Sequence, residues 1–138
     1  RDIVALDNLY SGKRKNLDSV EGVRLEIADI RDFAAVSSLM AGADTVFHLA
    51  AIPSVPRSIV EPVPSHEVNI DGTFNVFRAC HEAKVRRVVY AASSSAYGDT
   101  LVLPKVETMA PNPKSPYAAQ KLMGEYYASV FHSCYGLE

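Results

Sequence analysis

Four short, largely apolar segments recur along the chain, and each has the length of a β-strand. Val23–Ala28 alternates apolar and polar residues, which is the period-two pattern of a strand, and the other three are nearly continuous apolar runs. The predicted strands are Asp2–Leu6, Val23–Ala28, Asp44–Leu49 and Val85–Ala92. Continuous apolar strands are typical of parallel sheets, so we expect a sheet that is covered on both faces.

Segments with helical signals separate these strands. Asp32 is a suitable N-cap for a helix over Phe33–Ala41, and Gly42 would end it. Longer helices are predicted over about Ser65–Ala83 and Ser115–Tyr135, the second with Pro116 in its first turn. The intervening segments are predicted as loops, namely the proline-rich stretch through Pro53, Pro56, Pro62 and Pro64 and the stretch Ser93–Lys114. Alternating strands and helices predict βαβ units, and hence an α/β domain with a parallel sheet over residues 1–138.

Composition excludes several classes of partner. A net charge of -2 gives no reason to expect nucleic acid, and no apolar run reaches the roughly 18 residues that a membrane span needs. Cys80 and Cys134 lie far apart, outside any Cys/His cluster, so neither a metal site nor a disulfide framework is expected. Unpaired thiols and the lack of a signal-peptide pattern at the N-terminus favour the cytoplasm.

The segment Ser115–Lys121 carries the clearest chemistry. Tyr117 and Lys121 are four residues apart in a predicted helix, so they share one face. An ammonium group beside a phenol favours the phenolate, which is the form that acts as a base. Such a pair also arises by chance on ordinary helices. It gains weight from Ser93–Ser95, which follow the fourth strand and would bring hydroxyl groups to the end of the sheet where ligands of open α/β sheets bind.

Five motifs in order resemble the extended short-chain dehydrogenase/reductases, the NAD-dependent epimerase/dehydratases. They are Leu6-Asp7-Asn8-Leu9, Ala28-Asp29-Ile30-Arg31-Asp32, His48-Leu49-Ala50-Ala51, Asn69-Ile70-Asp71-Gly72-Thr73, and Ser93-Ser94-Ser95-Ala96-Tyr97-Gly98 followed by Ser115-Pro116-Tyr117 and Lys121. The resemblance covers essentially the whole chain. It implies a Rossmann-like, doubly wound parallel sheet with NAD as cofactor, in which residues 1–138 form part of the NAD(P)-binding domain.

The resemblance also assigns roles to residues. It implies that Tyr117 is the catalytic base, that Lys121 is its electrostatic partner, and that Ser93 is the catalytic hydroxyl. Ser94 and Ser95 would line the substrate pocket together with Ser93 and Tyr117. The cofactor-binding residues that it implies are Asp7, Asn8, Ser11, Gly12, Asp29, Ile30, Leu49, Ala50, Ala51, Asn69, Tyr117 and Lys121. From the residues alone, Asp29 is equally suited to capping a turn, His48 to a satisfied core position and Asn69 to pinning a loop.

The implied reaction is the oxidation of a nucleotide sugar at C4 with Tyr117 as base, followed by return of the hydride to the other face. Sugar 4,6-dehydratases carry Asp-Glu where this chain has Ser94 and Ser95, and hydroxyls do not replace that acid and base, so dehydration is disfavoured. A UDP-glucose or UDP-N-acetylglucosamine 4-epimerase is therefore expected, with a UDP-hexose as substrate. A nucleotide-sugar reductase, a decarboxylase, a GDP-mannose 3,5-epimerase, a non-catalytic dinucleotide-fold protein and a flavodoxin-like binding module are the alternatives.

Parts of the implied protein are not found in these 138 residues. A dinucleotide-binding glycine turn lies about 20 residues before the ribose-binding acid, but Asp7 has only six residues before it. We therefore expect a sheet truncated at both ends, without the first βα unit and the substrate domain, and a chain that by itself is inactive and binds NAD weakly or not at all. The resemblance also implies a homodimer, formed by a four-helix bundle of the helices near Ser65–Ala83 and Ser115–Tyr135.

Overall fold

A computed structural model describes residues 2–138, and its strands form two separate two-stranded parallel sheets. In the first, β1 (Ile3–Asp7) pairs with β2 (Val23–Ile27), with Ile3 opposite Val23. In the second, β3 (Thr45–His48) pairs with β4 (Arg87–Tyr90), with His48 opposite Tyr90. The α/β class with parallel pairing is as predicted. The first strand has the predicted length but begins one residue later, and the other three are one, two and four residues shorter than predicted.

Helices follow the strands, as the sequence pattern indicates. The helices are α1 (Phe33–Leu39), α2 (Val55–Val60), α3 (Pro62–His66), α4 (Thr73–Glu82) and α5 (Pro116–Tyr135), with short 3₁₀ turns at Arg14–Leu17 and Ser94–Tyr97. Asp32 caps α1 by accepting a hydrogen bond from the Ala35 N–H at 3.1 Å, as predicted. Gly136, in the left-handed conformation with φ of 71°, ends α5.

The proline-rich segment is helical, so its prediction as a loop was wrong. Ser54 caps α2 by accepting a hydrogen bond from the Arg57 N–H, and Pro62 is the first residue of α3. Proline is tolerated in a first helical turn because the N–H groups there have no intrahelical acceptor. Prolines that suggested a loop instead mark the starts of two helices.

The predicted helix over Ser65–Ala83 is also not one regular α-helix. A π-helical segment, Glu67–Gly72, separates α3 from α4. Gly72 lies so close to Ile30 that a Cβ built on it would fall 2.6 Å from the Ile30 side chain. The side chain of Asn69 binds the backbone of Ile52. Both interactions are with distant segments, so the periodicity of the local sequence does not reveal them.

The core lies between the helices and one face of the β3–β4 sheet. Its central side chains are Val36, Val76, Phe77, Cys80 and Phe131, each at most 5% exposed. The opposite face is open among the described residues, since Phe47 and Leu49 are 66% and 67% exposed. The expectation that all strands are covered on both faces was therefore wrong for this sheet. None of the helices within residues 2–138 is both long and apolar enough to cross a membrane.

Candidate active site

A cleft at the carboxyl ends of β1, β2 and β3 brings most of the predicted cofactor residues together. It is lined by Leu6, Asp7, Asn8, Tyr10, Ser11, Ala28, Asp29, Ile30, Arg31, Ala50, Ala51, Ile52 and Val68. Seven of these were predicted to bind the cofactor, namely Asp7, Asn8, Ser11, Asp29, Ile30, Ala50 and Ala51. This is the edge at which open α/β sheets bind ligands.

The carboxylate of Asp7 is held in place by the loop that follows β1. Its Oδ1 accepts a hydrogen bond from the Leu9 N–H at 2.6 Å. Gly12 closes the same turn, and a Cβ built on it would lie 2.8 Å from both Asp7 carboxylate oxygens. Gly12 does not line the cleft, but the space that it leaves free allows the Asp7 carboxylate its position.

Asp29 joins the loops after β1 and β2. Its carboxylate accepts hydrogen bonds from Arg31 Nε at 3.0 Å and from Asn8 Nδ2 at 2.8 Å. The Arg31 guanidinium also reaches Glu67 on the π-helical segment, at 3.0 Å. Hydrogen bonds from the Arg31 side chain hold the pKa of Asp29 well below its ordinary value, although partial burial opposes them. Asp29 is therefore anionic and organises the rim of the cleft as well as capping its own turn.

Five of the predicted cofactor residues do not line the cleft, namely Gly12, Leu49, Asn69, Tyr117 and Lys121. The Leu49 side chain is 67% exposed. Asn69 is 1% exposed and lies behind the Ile52 backbone, accepting a hydrogen bond from Ile52 N–H at 2.8 Å and donating one to Ile52 O at 3.2 Å. Asn69 thus holds the loop after β3. Of the two roles considered for Asn69, cofactor binding and holding a loop, the contacts match the second.

The predicted catalytic residues lie in the loop after β4 and on α5. Ser93 caps the 3₁₀ turn after β4, and its Oγ lies 2.7 Å from Ser95 Oγ, whereas Ser94 is exposed. Tyr117 and Lys121 lie four residues apart in the first two turns of α5, and Ser115 caps this helix. The Tyr117 N–H donates a hydrogen bond to Ser58 Oγ at 3.0 Å, and Ser58 is fully buried.

Lys121 is buried, being 3% exposed. Loss of hydration lowers the pKa of Lys121 to about 8, and the carboxylate of Glu125 opposes the shift. Lys121 therefore remains mostly protonated at pH 7. Lys121 also lies near His48, whose Nε2 is 2.9 Å from Thr73 Oγ1. His48 is thus a satisfied core histidine.

A buried polar cluster connects the helix bearing Tyr117 and Lys121 with the cleft. Gln120 accepts hydrogen bonds from Ser65 Oγ at 2.8 Å and from Asn69 Nδ2 at 2.9 Å, and Asn69 in turn holds Ile52. Sequence reasoning missed Ser58, Gln120 and the cleft residues Tyr10 and Arg31. Tyr10 and Arg31 stand beside predicted residues in the two loops, which is a usable signal. Ser58 and Gln120 act through distant partners and leave no local signal.

Comparison with known proteins shows the family to which this chain is similar. The model of the NAD dependent epimerase/dehydratase family matches residues 1–138. A UDP-glucose 4-epimerase of Mycolicibacterium smegmatis is 41% identical over 99% of this chain, which spans 45% of that relative. The chain thus spans about half the length of the curated relatives that it matches.

Solved structures give the same result. A UDP-N-acetylglucosamine 4-epimerase from Methanobrevibacter ruminantium, in complex with UDP-N-acetylmuramic acid, has a TM-score of 0.93 at 38% identity over 99% of this chain and 44% of its own. The UDP-glucose 4-epimerase of Thermus thermophilus, in complex with NAD, has a TM-score of 0.89 at 38% identity, and the match covers 98% of this chain and 44% of that structure's chain. A dTDP-glucose 4,6-dehydratase from Streptomyces venezuelae with NAD bound has a TM-score of 0.93 at 34% identity, and the match covers 99% of this chain and 44% of that structure's chain. Because the family pattern is matched along the whole chain and the fold agrees, this chain belongs to the NAD dependent epimerase/dehydratase family.

Proposed function

We propose that residues 1–138 are part of a longer NAD-dependent UDP-hexose 4-epimerase, referred to below as the full-length protein. The observation that carries the proposal is the buried Lys121 one helical turn after Tyr117 on α5, a helix that packs against the 3₁₀ turn that Ser93 caps. Relatives and neighbours named as 4-epimerases of UDP-glucose and UDP-N-acetylglucosamine support it.

The cleft residues fit the adenosine end of NAD. The Asp7 carboxylate offers two acceptors to a ribose diol, and the turn beneath it leaves no room for a Cβ at Gly12. Ile30 and Val68 offer apolar contact to an adenine ring, and Asp29 and Asn8 offer polar groups at its rim. Ala50 and Ala51 have small side chains at the end of β3, so the loop leaves space for a dinucleotide to cross it.

When bound, NAD supplies the hydride acceptor for the sugar C4 and later the hydride donor. The residues of this chain manage the proton and the charge. Tyr117 as phenolate takes the proton of the sugar 4-hydroxyl, and the Lys121 ammonium favours that phenolate. Ser93 donates a hydrogen bond to the same oxygen as charge develops on it. In the second half of the reaction, after the keto-sugar has rotated in the pocket, Tyr117 returns the proton to the oxygen at C4.

A 4,6-dehydratase is the second candidate, because a dTDP-glucose 4,6-dehydratase is among the similar structures. Elimination of water across C5 and C6 needs a proton donor and a proton acceptor beside the catalytic hydroxyl. Ser94 and Ser95 occupy those places, and Ser95 Oγ is engaged with Ser93 Oγ at 2.7 Å. This observation favours epimerisation over dehydration.

The experiment is a coupled assay on the full-length protein with UDP-glucose and UDP-N-acetylglucosamine, with Tyr117→Phe as the test variant. Tyr97→Phe is the matched control, since Tyr97 lies outside the proposed chemistry. We expect interconversion with the galacto-sugar, abolished by Tyr117→Phe and retained by Tyr97→Phe. NAD binding without epimerisation of either sugar would contradict the proposal, and release of a 4-keto-6-deoxy sugar would establish the dehydratase.

We propose further that the full-length protein is a homodimer, with α4 and α5 of each subunit in a four-helix bundle. The two helices pack against each other, and they expose apolar side chains at Phe74, Met123, Tyr126 and Val130. Sedimentation of the full-length protein tests this, with Val130→Glu expected to give monomers; a monomeric wild type would refute it.

Cys80 and Cys134 are both free, which supports a cytoplasmic location.

A further inference from the structure

Tyr90 and Lys121 form a close pair between β4 and α5. The Nζ of Lys121 lies 4.3 Å from the centroid of the Tyr90 ring, within the range of a cation–π contact. The Tyr90 hydroxyl donates a hydrogen bond to the backbone oxygen of Lys121 at 3.3 Å. Tyr90 therefore contacts Lys121 at both its charged end and its main chain.

Gly124 provides the space that this contact needs. It lies three residues after Lys121 and hence on the same face of α5. A Cβ built on Gly124 would fall 2.3 Å from the Cζ and the Oη of Tyr90. Glycine in a helix interior is unfavourable relative to alanine. Its presence in α5 has a structural reason, because any larger residue would push the Tyr90 ring away from Lys121.

We propose that Tyr90 is a positioning residue for Lys121, holding its ammonium group over the aromatic ring so that it remains charged and in place beside Tyr117. This inference rests on the proposed function, in which Lys121 favours the Tyr117 phenolate. The face of an aromatic ring attracts a cation, and it does so more strongly where water is excluded. Lys121 is 3% exposed, so the ring replaces part of the hydration that burial removes.

The other groups near Lys121 do not supply a close partner of this kind. Glu125, on the same helix, favours the ammonium through its charge, and Tyr117 is the proposed catalytic phenol. His48 on β3 also lies within electrostatic reach, and burial together with the Lys121 charge lowers the pKa of His48 to about 4, so it is neutral near pH 7. Burial, with the charges of Glu125 and Tyr117, raises the pKa of Tyr90, so its hydroxyl remains a donor at every pH of interest.

The test compares three variants of the full-length protein by NMR titration of ¹⁵N-labelled lysine side chains, with Lys121→Arg to assign the Lys121 signal. Tyr90→Leu removes the ring, and we expect it to lower the pKa of Lys121 by about one unit. Gly124→Ala displaces the ring and should shift the titration in the same direction, which keeps the test valid if Tyr90→Leu does not fold. Tyr90→Phe keeps the ring and should retain the wild-type titration of Lys121.

The pH dependence of kcat is the second readout. Because Lys121 in Tyr90→Leu would lose its proton about one pH unit lower, the alkaline limb of the profile should move to lower pH, and kcat at pH 8 should fall about fivefold. KM for the sugar nucleotide should change less than twofold, whereas a general loss of structure would change both. Tyr90→Phe should restore the wild-type profile.

An unchanged Lys121 titration in both Tyr90→Leu and Gly124→Ala would overturn the inference, and so would a Tyr90→Phe that behaves like Tyr90→Leu. The NMR readout does not depend on turnover. If the wild type epimerises neither sugar but the titration shifts as expected, the proposed function fails and the role of Tyr90 stands. If the wild type epimerises and the Lys121 titration does not shift in the variants, the proposed function stands and the role of Tyr90 fails.

Discussion

Asn69→Ala tests the buried polar cluster that links the helix of Tyr117 and Lys121 to the cleft. In the wild type, the Asn69 amide accepts a hydrogen bond from Ile52 N–H and donates to Ile52 O, at 2.8 and 3.2 Å. Ile52 is 7% exposed, and Asn69 itself is 1% exposed. The substitution therefore leaves the Ile52 N–H without a partner in a place that water does not reach, whereas Ile52 O keeps the hydrogen bond from the Ser54 N–H at 3.2 Å.

The expected loss of stability follows from this one group. A buried polar group left without a partner costs about 1–3 kcal/mol, so the Ile52 N–H predicts a loss of about 1–3 kcal/mol in the free energy of unfolding. Asn75→Ala is the matched control, because Asn75 also donates to loop carbonyls, those of Ile30 and Arg31 at 3.1 and 3.0 Å. The bond to Arg31 O is exposed, so water can replace it, and we expect a loss below about 1 kcal/mol.

Two measurements on the full-length protein check this prediction. Equilibrium unfolding in urea should show a lower midpoint for Asn69→Ala than for Asn75→Ala, with m unchanged. Hydrogen exchange at the Ile52 amide should accelerate about 30-fold or more, the equivalent of about 2 kcal/mol. If Asn69→Ala costs no more than Asn75→Ala and the Ile52 amide stays protected, the polar cluster does not hold the loop after β3.

Three further predictions concern the cofactor cleft, a core histidine and the isolated chain. Gly12→Ala places a Cβ where the Asp7 carboxylate lies, so NAD should bind to the full-length protein about 10–100-fold more weakly by calorimetry. Gly22→Ala, with φ of 74° and nothing within 4 Å, should cost stability but leave the Kd unchanged. Burial, and secondarily the Lys121 charge, lowers the pKa of His48 from 6.5 to about 4. The stability gained from the neutral form is therefore complete above pH 6.5 and declines by about 3 kcal/mol as the pH falls towards 4. In urea unfolding, His48→Gln should flatten this dependence of stability on pH, and an equal dependence in wild type and variant would refute the assignment. Residues 1–138 expressed alone should show no epimerisation in the coupled assay, and turnover by this chain would show that the proposed dependence on a longer protein is wrong.

The sequence by itself determined the class of fold and the identities of the chemical groups. Apolar runs of strand length separated by helical segments predict parallel βαβ units because each signal is local, set by periodicity and capping residues such as Asp32 and Ser115. Asp7, Asp29, Ala50 and Ser93 follow the four predicted strands, and parallel strands present their carboxyl ends at one edge. One cleft contains the first three of these residues, whereas Ser93 lies outside it. Tyr117 and Lys121 were predicted to share a face because helical geometry alone fixes a spacing of four.

Only the tertiary structure decided what each of these residues contacts. The roles of Asn69, Ser58, Gln120 and Tyr90 depend on partners that are at least 17 residues away along the chain, which no local pattern encodes. The prolines at 56 and 62 were predicted in a loop because proline breaks a helix interior, but it is compatible with a first turn, and caps and packing decided where the turns began. The π-helical segment likewise forms where Asn69 and Gly72 meet Ile52 and Ile30, so long-range contacts, rather than local propensity, set the geometry of the site.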